Sequence, residues 1–455
     1  MKRKIISLIS AAALIFSAMP VFMASAENHV TISSVDDLIA LRDAVNSGNT
    51  YEDYIVILAK DLNLNGSADN QWVPIGKPLG NGEQHYSFDG TFDGQNHKIS
   101  GLYINTSDDY AGLFGNVGIG EIKNLEVSGT VSGGQFSAGI AGSAHSLITN
   151  CQNNCTVSGS TNVGGVAGYN PGTTIKNCRN TGNITGTTNV GGVVGGSVWK
   201  IENCYNTGNV TGGTNAGGIV GGTHVQSYVD VWVKNCYNTG AVKGTSQTGG
   251  IVGENGRGLV ENCYNTGIVT GKTNVGGVIG KNLKRTYEPP ASDGAAKAVD
   301  CYYLTGTAST GVNAESGAYS SGTAAIAQGA LANSATFANW SFTDTWSMNK
   351  ALGRPTLKEN PEGVNGIAPP NKMYSINEAT ETTTFHIPYN QAQGASMSGT
   401  VKVTVFNSKG ENKASNSVSF SDLPVVSGAV TMDADVNCVL NIGDRIHVVI
   451  TPESN

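Results

Sequence analysis

Two nearly identical stretches of sequence decide the fold of this chain. Residues 202–221 read ENCYNTGNVTGGTNAGGIVG, and residues 261–280 read ENCYNTGIVTGKTNVGGVIG. Each copy holds a cysteine followed by a tyrosine, several glycines and almost no charge. Near-copies of this length indicate an internal repeat, and the period of the repeat then predicts the architecture.

Two independent markers give the period. Small-residue pairs follow one another at steps of 27, 26, 27, 26, 32 and 27 residues, counted at Gly112, Gly139, Gly165, Gly192, Gly218, Gly250 and Gly277. Cysteines follow at steps of 27, 26, 32, 27 and 38 residues, counted at Cys151, Cys178, Cys204, Cys236, Cys263 and Cys301. Because both markers carry the same longer step, each period is one structural unit of a repeat array.

Within each period the apolar residues form short alternating bursts between Asn-Thr-Gly turns, which is the pattern of strands and not of a helix. We predict three short strands per period, too few for a propeller blade but enough for one triangular coil. The predicted fold is therefore all-β, with a right-handed parallel β-helix over residues 88–304. Four asparagines are expected to stack at one corner of the coils: Asn177, Asn203, Asn235 and Asn262.

The glycine-rich bursts resemble the GLUG repeat of bacterial secreted and surface proteins. They are AGLFG (111–115), GGVAG (164–168), GGVVG (191–195), GGIVG (217–221 and 249–253) and GGVIG (276–280). WVPIG (72–76) and FDGTFDGQNHKISGL (88–102) resemble the start of such domains, and FANWSFTDTWSMN (337–349) their close. The resemblance covers residues 29–358. It implies a β-helix like that of pectate lyases and, less directly, adhesion or surface binding.

The flanking segments predict export and capping. Residues 1–26 combine basic, apolar and small residues in the order of a secretory signal peptide, so we expect a soluble protein that is secreted or held at a cell surface. Ser34 and Asp37 predict the N-terminus of an amphipathic helix over residues 35–46, which would plug the β-helix. The predicted divisions are a β-helix over 27–358 (cap 27–87, coils 88–304, C-terminal cover 305–358), a linker over 359–372 and a small β-sandwich-like domain over 373–455.

Composition argues against several classes of partner. The formal net charge is -7, with 13% charged residues and no basic cluster, which argues against nucleic acid. After the signal peptide no segment is long and apolar enough to insert into a membrane. The segment 61–72 resembles the start of a calcium loop, but Trp72 stands where a glutamate is needed, so we interpret it as a polar turn. We expect a monomer without metal or cofactor.

The cysteine ladder predicts a stack of reduced thiols. Equivalent residues on adjacent coils lie about 4.8 Å apart with parallel side chains, whereas a disulfide needs Cβ atoms about 3.8 Å apart. The thiols are therefore expected to point inward as small apolar groups.

Catalytic carboxylates are not evident in the coils. Glu202 and Glu261 occupy the same position in their periods, but Lys234 lies at that position between them. Asp300 occurs at the position of the stacked asparagines. Such a mixture is typical of an exposed strip rather than of a glycosidase acid pair. Enzymatic activity stays open, as a polysaccharide hydrolase or lyase.

Insertions into the repeat define a candidate binding edge. Two coils are longer than the others between the glycine burst and the following cysteine, and insertions in solenoids often form the binding face. The candidate ligand-binding residues at this edge are Tyr169, Trp199, His224, Gln226, Tyr228, Asp230, Trp232, Lys284, Arg285 and Tyr287. Aromatic faces interleaved with polar groups suit sugar rings, although large side chains can also simply cover a corner.

A tyrosine follows four of the cysteines, at Tyr205, Tyr237, Tyr264 and Tyr302. If the cysteines point inward, these tyrosines form an outward column, which either supports the fold by self-stacking or binds a ligand. The leading hypothesis is a secreted bacterial protein for adhesion that binds polysaccharide or a surface glycan. The alternatives are a carbohydrate-active enzyme that uses the same edge and a spacer that presents the C-terminal domain.

Overall fold

The structure is a computed structural model, and it describes most of the repeat region together with parts of the C-terminal domain. The described residues are 28–76, 86–197, 199–223, 231–256, 258–283, 296–314, 322–350, 352–362, 374–377, 382–389, 397–406, 412–423, 430–436 and 445–452. The predicted signal peptide and residues 363–372 of the predicted linker lie outside them.

Residues 28–326 form a parallel β-helix of four long sheets, which confirms the predicted fold but extends the coils beyond the predicted range of 88–304 at both ends. The ten-stranded sheet contains Asn28–Ile32, Tyr54–Leu58, Thr91–Asp93, Glu121–Lys123, Leu147–Thr149, Ile175–Lys176, Lys200–Glu202, Val231–Lys234, Gly258–Glu261 and Lys297–Val299. The eight-stranded sheet contains Phe114–Val117, Ala141–Ala144, Ala167–Asn170, Val194–Ser197, Val220–Thr223, Val252–Asn255, Ile279–Asn282 and Val312–Ala314. The six-stranded sheet contains Ser137–Ala138, Thr161–Gly164, Thr188–Gly191, Thr214–Gly217, Ser246–Gly249 and Thr273–Gly276.

The fourth sheet takes two short strands from each full coil. Its fifteen strands are Leu62–Asn63, Lys98–Asn105, Glu126–Ser132, Gln152–Asn153, Thr156–Ser158, Arg179–Asn180, Ile184–Thr185, Tyr205–Asn206, Val210–Thr211, Tyr237–Asn238, Val242–Lys243, Tyr264–Asn265, Val269–Thr270, Cys301–Leu304 and Thr323–Ile326. A full coil thus has five short strands, and the prediction of three was wrong. The reason is that asparagine and glycine corners interrupt the backbone more often than the apolar bursts indicate.

The interior of the β-helix is a set of stacked columns of small and medium apolar residues. In the ten-stranded sheet, Ile201 pairs with Val233, and Val233 pairs with Val260; all three are at most 1% exposed. The cysteines at 151, 155, 178, 204, 236, 263 and 301 are free and buried, as predicted. Burial raises the pKa of Cys155 and of Cys204, so these two thiols stay protonated and pack as small apolar groups.

The predicted corner of stacked asparagines is present, in the left-handed backbone region that asparagine tolerates. Asn235 donates from Nδ2 to Asn203 Oδ1 at 3.1 Å, and Asn262 donates to Asn235 Oδ1 at 3.4 Å. Their φ angles are 54°, 53° and 52° at Asn203, Asn235 and Asn262. The corner residue is therefore selected by backbone conformation as well as by side-chain hydrogen bonds.

A second asparagine ladder, which we did not predict, lies inside the coil. Asn180 donates to Asn206 Oδ1 at 2.6 Å, and Asn206 donates to Asn238 Oδ1 at 2.7 Å. A Cβ on Gly192 would lie 2.4 Å from the Asn206 side chain, and a Cβ on Gly218 the same distance from Asn238. The same Cβ would lie only 2.1 Å from the carbonyl oxygen of the equivalent glycine in the next coil, so the second glycine of each pair is required by the neighbouring backbone as well as by the buried amide.

The N-terminal end is closed by the predicted helix, Val35–Val45. Ser34 is the N-cap and accepts a hydrogen bond from the Asp37 amide, while Asp37 accepts one from the Ser33 amide. Leu38, Leu41 and Val45 are buried and belong to the same hydrophobic cluster as the β-helix core. The helix therefore covers the apolar core of the first coil.

The predicted C-terminal cover lies along the side of the rod. We call residues 328–362 the C-terminal strap; it contains the 3-10 helices Gln328–Ala332 and Ser334–Phe337 and an antiparallel pair, Trp346–Asn349 with Arg354–Leu357. Its side chains pack on the tyrosine column, outside the fifteen-stranded sheet. Asn360 at its end donates to the carbonyls of Cys178 and Asn203. The strap therefore runs back from the last coil to the middle of the rod, and residues 359–362 of the predicted linker belong to it.

The described residues of the C-terminal domain form two antiparallel sheets of three strands each. One contains Tyr374–Asn377, Thr382–Tyr389 and Val430–Val436, and the other contains Met397–Phe406, Asn412–Leu423 and Arg445–Pro452. Strands Asn412–Leu423 and Val430–Val436, from different sheets, contact each other. This all-β arrangement agrees with the predicted sandwich-like fold.

Candidate functional site

Three of the predicted site residues lie in the described part of the chain, namely Tyr169, Trp199 and Trp232. The other seven, His224, Gln226, Tyr228, Asp230, Lys284, Arg285 and Tyr287, lie outside the described residues. The geometry of the site is therefore built from the first three residues and from the sheets that carry them.

Trp232 lies on the outer surface of the ten-stranded sheet. Its neighbour Val233 points into the core, so strand alternation directs Trp232 outward. Cross-strand pairing then forms one outer row, Lys200, Trp232, Leu259 and Lys297. Trp199 directly precedes Lys200 and is half-buried at the start of the neighbouring strand. The structure thus brings Trp199 and Trp232 to adjacent coils, but the register places Trp199 level with Val231, the buried residue before Trp232, and not in the outer row.

Exposure distinguishes Trp232 from the other described large aromatic side chains. Trp232 is 39% exposed, whereas Trp72, Trp340 and Trp346 are at most 6% exposed. The Lys200 ammonium lies 5.0 Å from the centroid of the Trp232 ring, within the range of a cation–π contact. An aromatic surface and a cation are therefore held together in solvent.

A second outer row on the same sheet carries charges of both signs. Glu202 pairs with Lys234, and Lys234 pairs with Glu261, in consecutive strands. The Lys234 ammonium lies 2.8 Å from the Glu261 carboxylate. Because a lysine separates the two glutamates and neutralises one of them, this row does not form an acid pair, in agreement with the predicted exposed strip.

Tyr169 belongs to a different surface. It lies in the eight-stranded sheet, and its ring centroid is 5.7 Å from that of Phe136, which stacks on Tyr110 at 4.8 Å. Tyr110 and Phe136 have φ angles of 63° and 56°, at a corner where later coils place asparagine. Partial burial raises the pKa of Tyr169 and of Tyr110. The single edge predicted from sequence thus extends over two sheets, and Tyr169 packs in an aromatic cluster at the N-terminal part of the rod.

The tyrosine column is buried by the strap. Tyr205 and Tyr237 stack with centroids 4.8 Å apart and planes 5° apart, and Tyr237 and Tyr264 follow at 5.1 Å and 10°. All three are at most 2% exposed, and the strap residues Trp340 and Trp346 pack against them. These three tyrosines therefore support the fold, which was one of the two predicted alternatives, while Tyr302, the fourth residue of the predicted column, is half-buried and packs on Phe337 and Trp340.

Polar groups of the strap satisfy the buried tyrosine hydroxyls. Tyr264 donates to the Pro355 carbonyl at 2.6 Å, and Tyr237 donates to Glu362 at 2.8 Å. Arg354 forms an ion pair with Glu362 and donates to the Tyr264 hydroxyl at 3.0 Å. Desolvation raises the pKa of Tyr205 to about 12 and also raises that of Tyr237 and Tyr264. These hydroxyls act as hydrogen-bond donors and remain protonated.

Polar side chains of the proposed turn at 61–72 form hydrogen bonds with other residues of the protein. Asp61 lies 3.0 Å from the His97 ring nitrogen and accepts a hydrogen bond from the Lys98 amide. Asn63 accepts from the Asn65 amide, as in an Asx turn. Among the residues that the structure describes, no cluster of three or more histidine, cysteine or acidic side chains has metal-binding geometry.

Lys200 is the site residue that sequence reasoning missed. A usable signal existed, because Lys200, Trp232, Leu259 and Lys297 each precede a repeat cysteine by four residues. Residues at a constant offset from the cysteine stack in register, so this outer row could have been read from the repeat itself.

Comparison with known proteins identifies the repeat. The GLUG motif matches residues 159–185, 186–211 and 244–270. The chain carries GLUG repeats. Each matched segment is one coil of the rod. It begins just after one strand of the fifteen-stranded sheet and ends with the equivalent strand of the next coil. The motif is thus a single rung of a parallel β-helix.

A relative with detectable similarity is halomucin from Haloquadratum walsbyi. The two sequences are 28% identical over 148 residues, which is 31% of this chain and 2% of halomucin. No solved structure matches the chain. A search of the described residues found no helix that is long and apolar enough to cross a membrane.

Proposed function

We propose that this GLUG-repeat protein is an extracellular β-helical rod that binds a polysaccharide or surface glycan at the Trp199–Trp232 edge. The observation that carries the proposal is the exposed indole of Trp232 on a flat sheet surface. The exposed part of this indole contributes no burial to the fold, whereas an aromatic face suits the C–H surface of a sugar ring. The predicted signal peptide at residues 1–26 and the similarity to halomucin support an extracellular setting.

The rod itself supplies rigidity and spacing. Parallel strands of neighbouring coils lie about 4.8 Å apart, so each coil adds one side chain to the outer rows at a constant interval. A polymer that lies along the sheet meets a repeated set of aromatic, aliphatic and charged groups. Binding through several weak contacts on a preformed surface needs little reordering of the protein.

The test is binding of a panel of soluble plant and bacterial polysaccharides, measured by affinity electrophoresis and calorimetry. We expect at least one to be retained, and Trp232→Ala to weaken its binding about 5- to 30-fold, from the loss of about 1 to 2 kcal/mol of stacking. Ile268→Ala is the matched control, because Ile268 is 60% exposed on another surface of the rod.

Three outcomes would contradict the proposal. Failure to retain any polysaccharide would leave the rod as a spacer. Retention that is insensitive to Trp232→Ala would move the site away from this edge. New reducing or unsaturated ends in the binding mixtures would identify an enzyme instead of a binding protein.

A further inference from the structure

A small cavity lies near the N-terminal end of the rod. It is lined by residues of two segments, 71–74, which includes the start of WVPIG, and 104–111, which follows strand Lys98–Asn105. Trp232 is on strand Val231–Lys234, several coils further along the rod. The cavity has a volume of about 170 Å³, below the roughly 300 Å³ at which pockets for drug-sized ligands begin. It therefore has room for one small ring and not for an oligomer.

The floor of the cavity is apolar and held in place. The lining residues Trp72, Ile104 and Ala111 are 6%, 2% and 1% exposed. The Trp72 indole donates from Nε1 to the Leu113 carbonyl at 3.0 Å, and the Arg42 guanidinium lies 5.1 Å from the ring centroid. Because these contacts fix the ring in the free protein, a ligand would bind here without the entropic cost of ordering the floor.

The apolar surface continues to the opening of the cavity. Val73 lines the cavity and is 42% exposed, and the next lining residue, Pro74, is half-buried. A single exposed valine is common on protein surfaces. Here, however, the exposed side chain extends a buried apolar floor, so a ligand in the cavity would cover both together.

The segment 106–109 supplies the polar groups of the cavity. Thr106 Oγ1 accepts a hydrogen bond from the Asp108 amide at 3.1 Å, so the hydroxyl hydrogen of Thr106 can still be donated. Asp109 Oδ1 accepts from the Gln135 amide at 2.6 Å, and within the described residues Asp109 forms no ion pair. A carboxylate oxygen and a hydroxyl group thus border the apolar floor.

We infer that this cavity binds a single neutral pyranose unit. The C–H face of the ring contacts Trp72 and Val73, and ring hydroxyls donate to the Asp109 carboxylate. Hydrogen bonds from a hydroxyl to a carboxylate are shorter and roughly twice as strong as bonds between neutral groups. A uronic acid would instead bring a second negative charge to Asp109. The site is distant from Trp232, so the inference does not rest on the proposed function.

The experiment titrates the full chain with monosaccharides and follows binding by saturation-transfer NMR. The probes are glucose, galactose and mannose, together with the uronic acid of each. We expect at least one neutral sugar to bind with a dissociation constant of about 1 mM, the range for a ligand of about a dozen non-hydrogen atoms. Its uronic acid should bind at least tenfold more weakly. Nα-acetyl-lysine methylamide, the probe for a basic peptide side chain, should not bind.

Two variants and a control locate the binding. Asp109→Asn keeps an acceptor for the Gln135 amide and should weaken sugar binding about 5- to 10-fold. Val73→Ala should weaken it about two- to threefold through loss of apolar contact. Asp36→Asn is the matched control, since Asp36 is an exposed aspartate of helix Val35–Val45 that does not line the cavity. Melting temperatures close to that of the parent protein are expected for all three.

The outcomes distinguish this inference from the proposed function. Sugar binding that is lost in Asp109→Asn and retained in Trp232→Ala places the ligand in the cavity. Failure of every neutral sugar to bind overturns the inference and leaves polysaccharide binding at Trp232 untouched. Equal binding of a neutral sugar and its uronic acid, or equal effects of Asp109→Asn and Asp36→Asn, also overturns it. Binding of the lysine probe alone would assign the cavity to a basic peptide side chain instead.

Discussion

At the scale of single residues, the repeat is explained by a contact between asparagine and glycine. Asn206 is fully buried, donates from Nδ2 to the Gly208 carbonyl and to Asn238, and accepts from Asn180. The side chain packs against Gly192, where no Cβ fits. The ladder ends at Asn265, because the next equivalent residue is Tyr303, whose ring lies against Gly277.

Replacement of one ladder asparagine tests this interpretation. Asn206→Ala removes three hydrogen bonds, so that one N–H of Asn180 loses its acceptor and Asn238 Oδ1 loses its donor inside the buried ladder. We expect the free energy of unfolding to fall by about 2 to 4 kcal/mol, as for several unsatisfied buried polar groups. Chemical denaturation provides the measurement.

The control for the ladder is Asn209→Ala, at an exposed position of the same coil, where the side chain accepts one hydrogen bond from the Ala241 amide. Its effect should stay below about 1 kcal/mol. Similar losses in the free energy of unfolding for Asn206→Ala and Asn209→Ala would show that the buried ladder contributes no more to stability than an exposed asparagine.

At the scale of elements, the strap closes the tyrosine surface that the repeat leaves exposed. Tyr205, Tyr237 and Tyr264 would present a wide aromatic surface to solvent without it. Trp346 is fully buried and packs within 6.2 Å of Tyr237 and 6.0 Å of Tyr264, measured between ring centroids. Since the strap is the last element before the C-terminal domain, its contacts set where the chain leaves the rod.

Loss of a strap tryptophan should uncover the column. Trp346→Ala is expected to lower stability by about 3 to 5 kcal/mol, the usual effect of truncating a buried aromatic residue, and to speed chemical nitration of Tyr237 and Tyr264. Leu352→Ala is the control, because Leu352 lies in the same strap but is 39% exposed. Slow nitration in both variants would mean that the column is protected without the strap.

At the scale of the whole molecule, the rod is a stack of nearly equivalent coils. The strap, in contrast, contacts particular coils, those that carry Cys178, Asn203 and the buried tyrosines. The deletion of residues 133–158 removes one coil on the N-terminal side and joins Ser132 to Gly159, an equivalent position. The deletion of residues 186–211 removes one coil under the strap, including Asn203, whose carbonyl bonds to Asn360, and Tyr205.

We expect the first deletion to leave a folded, slightly less stable rod, because stability in a solenoid depends on nearest neighbours. The second deletion should be more destabilising, since the strap would be displaced by one rung, about 4.8 Å, from its partners. Thermal unfolding followed by circular dichroism distinguishes them. If the two variants have equal melting temperatures, the strap is not in register with the coils.

Deleting residues 133–145 removes only half a coil. It therefore breaks the register of the strands that follow and should abolish folding.

The sequence by itself determined the period, the parallel β-helix, the inward cysteines, the corner asparagines and the N-terminal helix. Each of these depends on local chemistry that recurs at a constant interval, so a single chain contains enough copies to define it. The number of strands per coil was not determined, because corner residues and short strands use the same small polar residues.

Only the tertiary structure decided which outward surfaces are open. The tyrosine column and the row of Lys200 and Trp232 both point outward from the rod, and repeat position alone does not distinguish them. The difference is made by the strap, a segment without repeat periodicity that is distant in sequence and covers the fifteen-stranded sheet. Burial by a distant segment depends on long-range packing, which leaves no periodic trace in the sequence. For that reason the open row of Lys200 and Trp232 could be distinguished from the tyrosine column only in the folded protein.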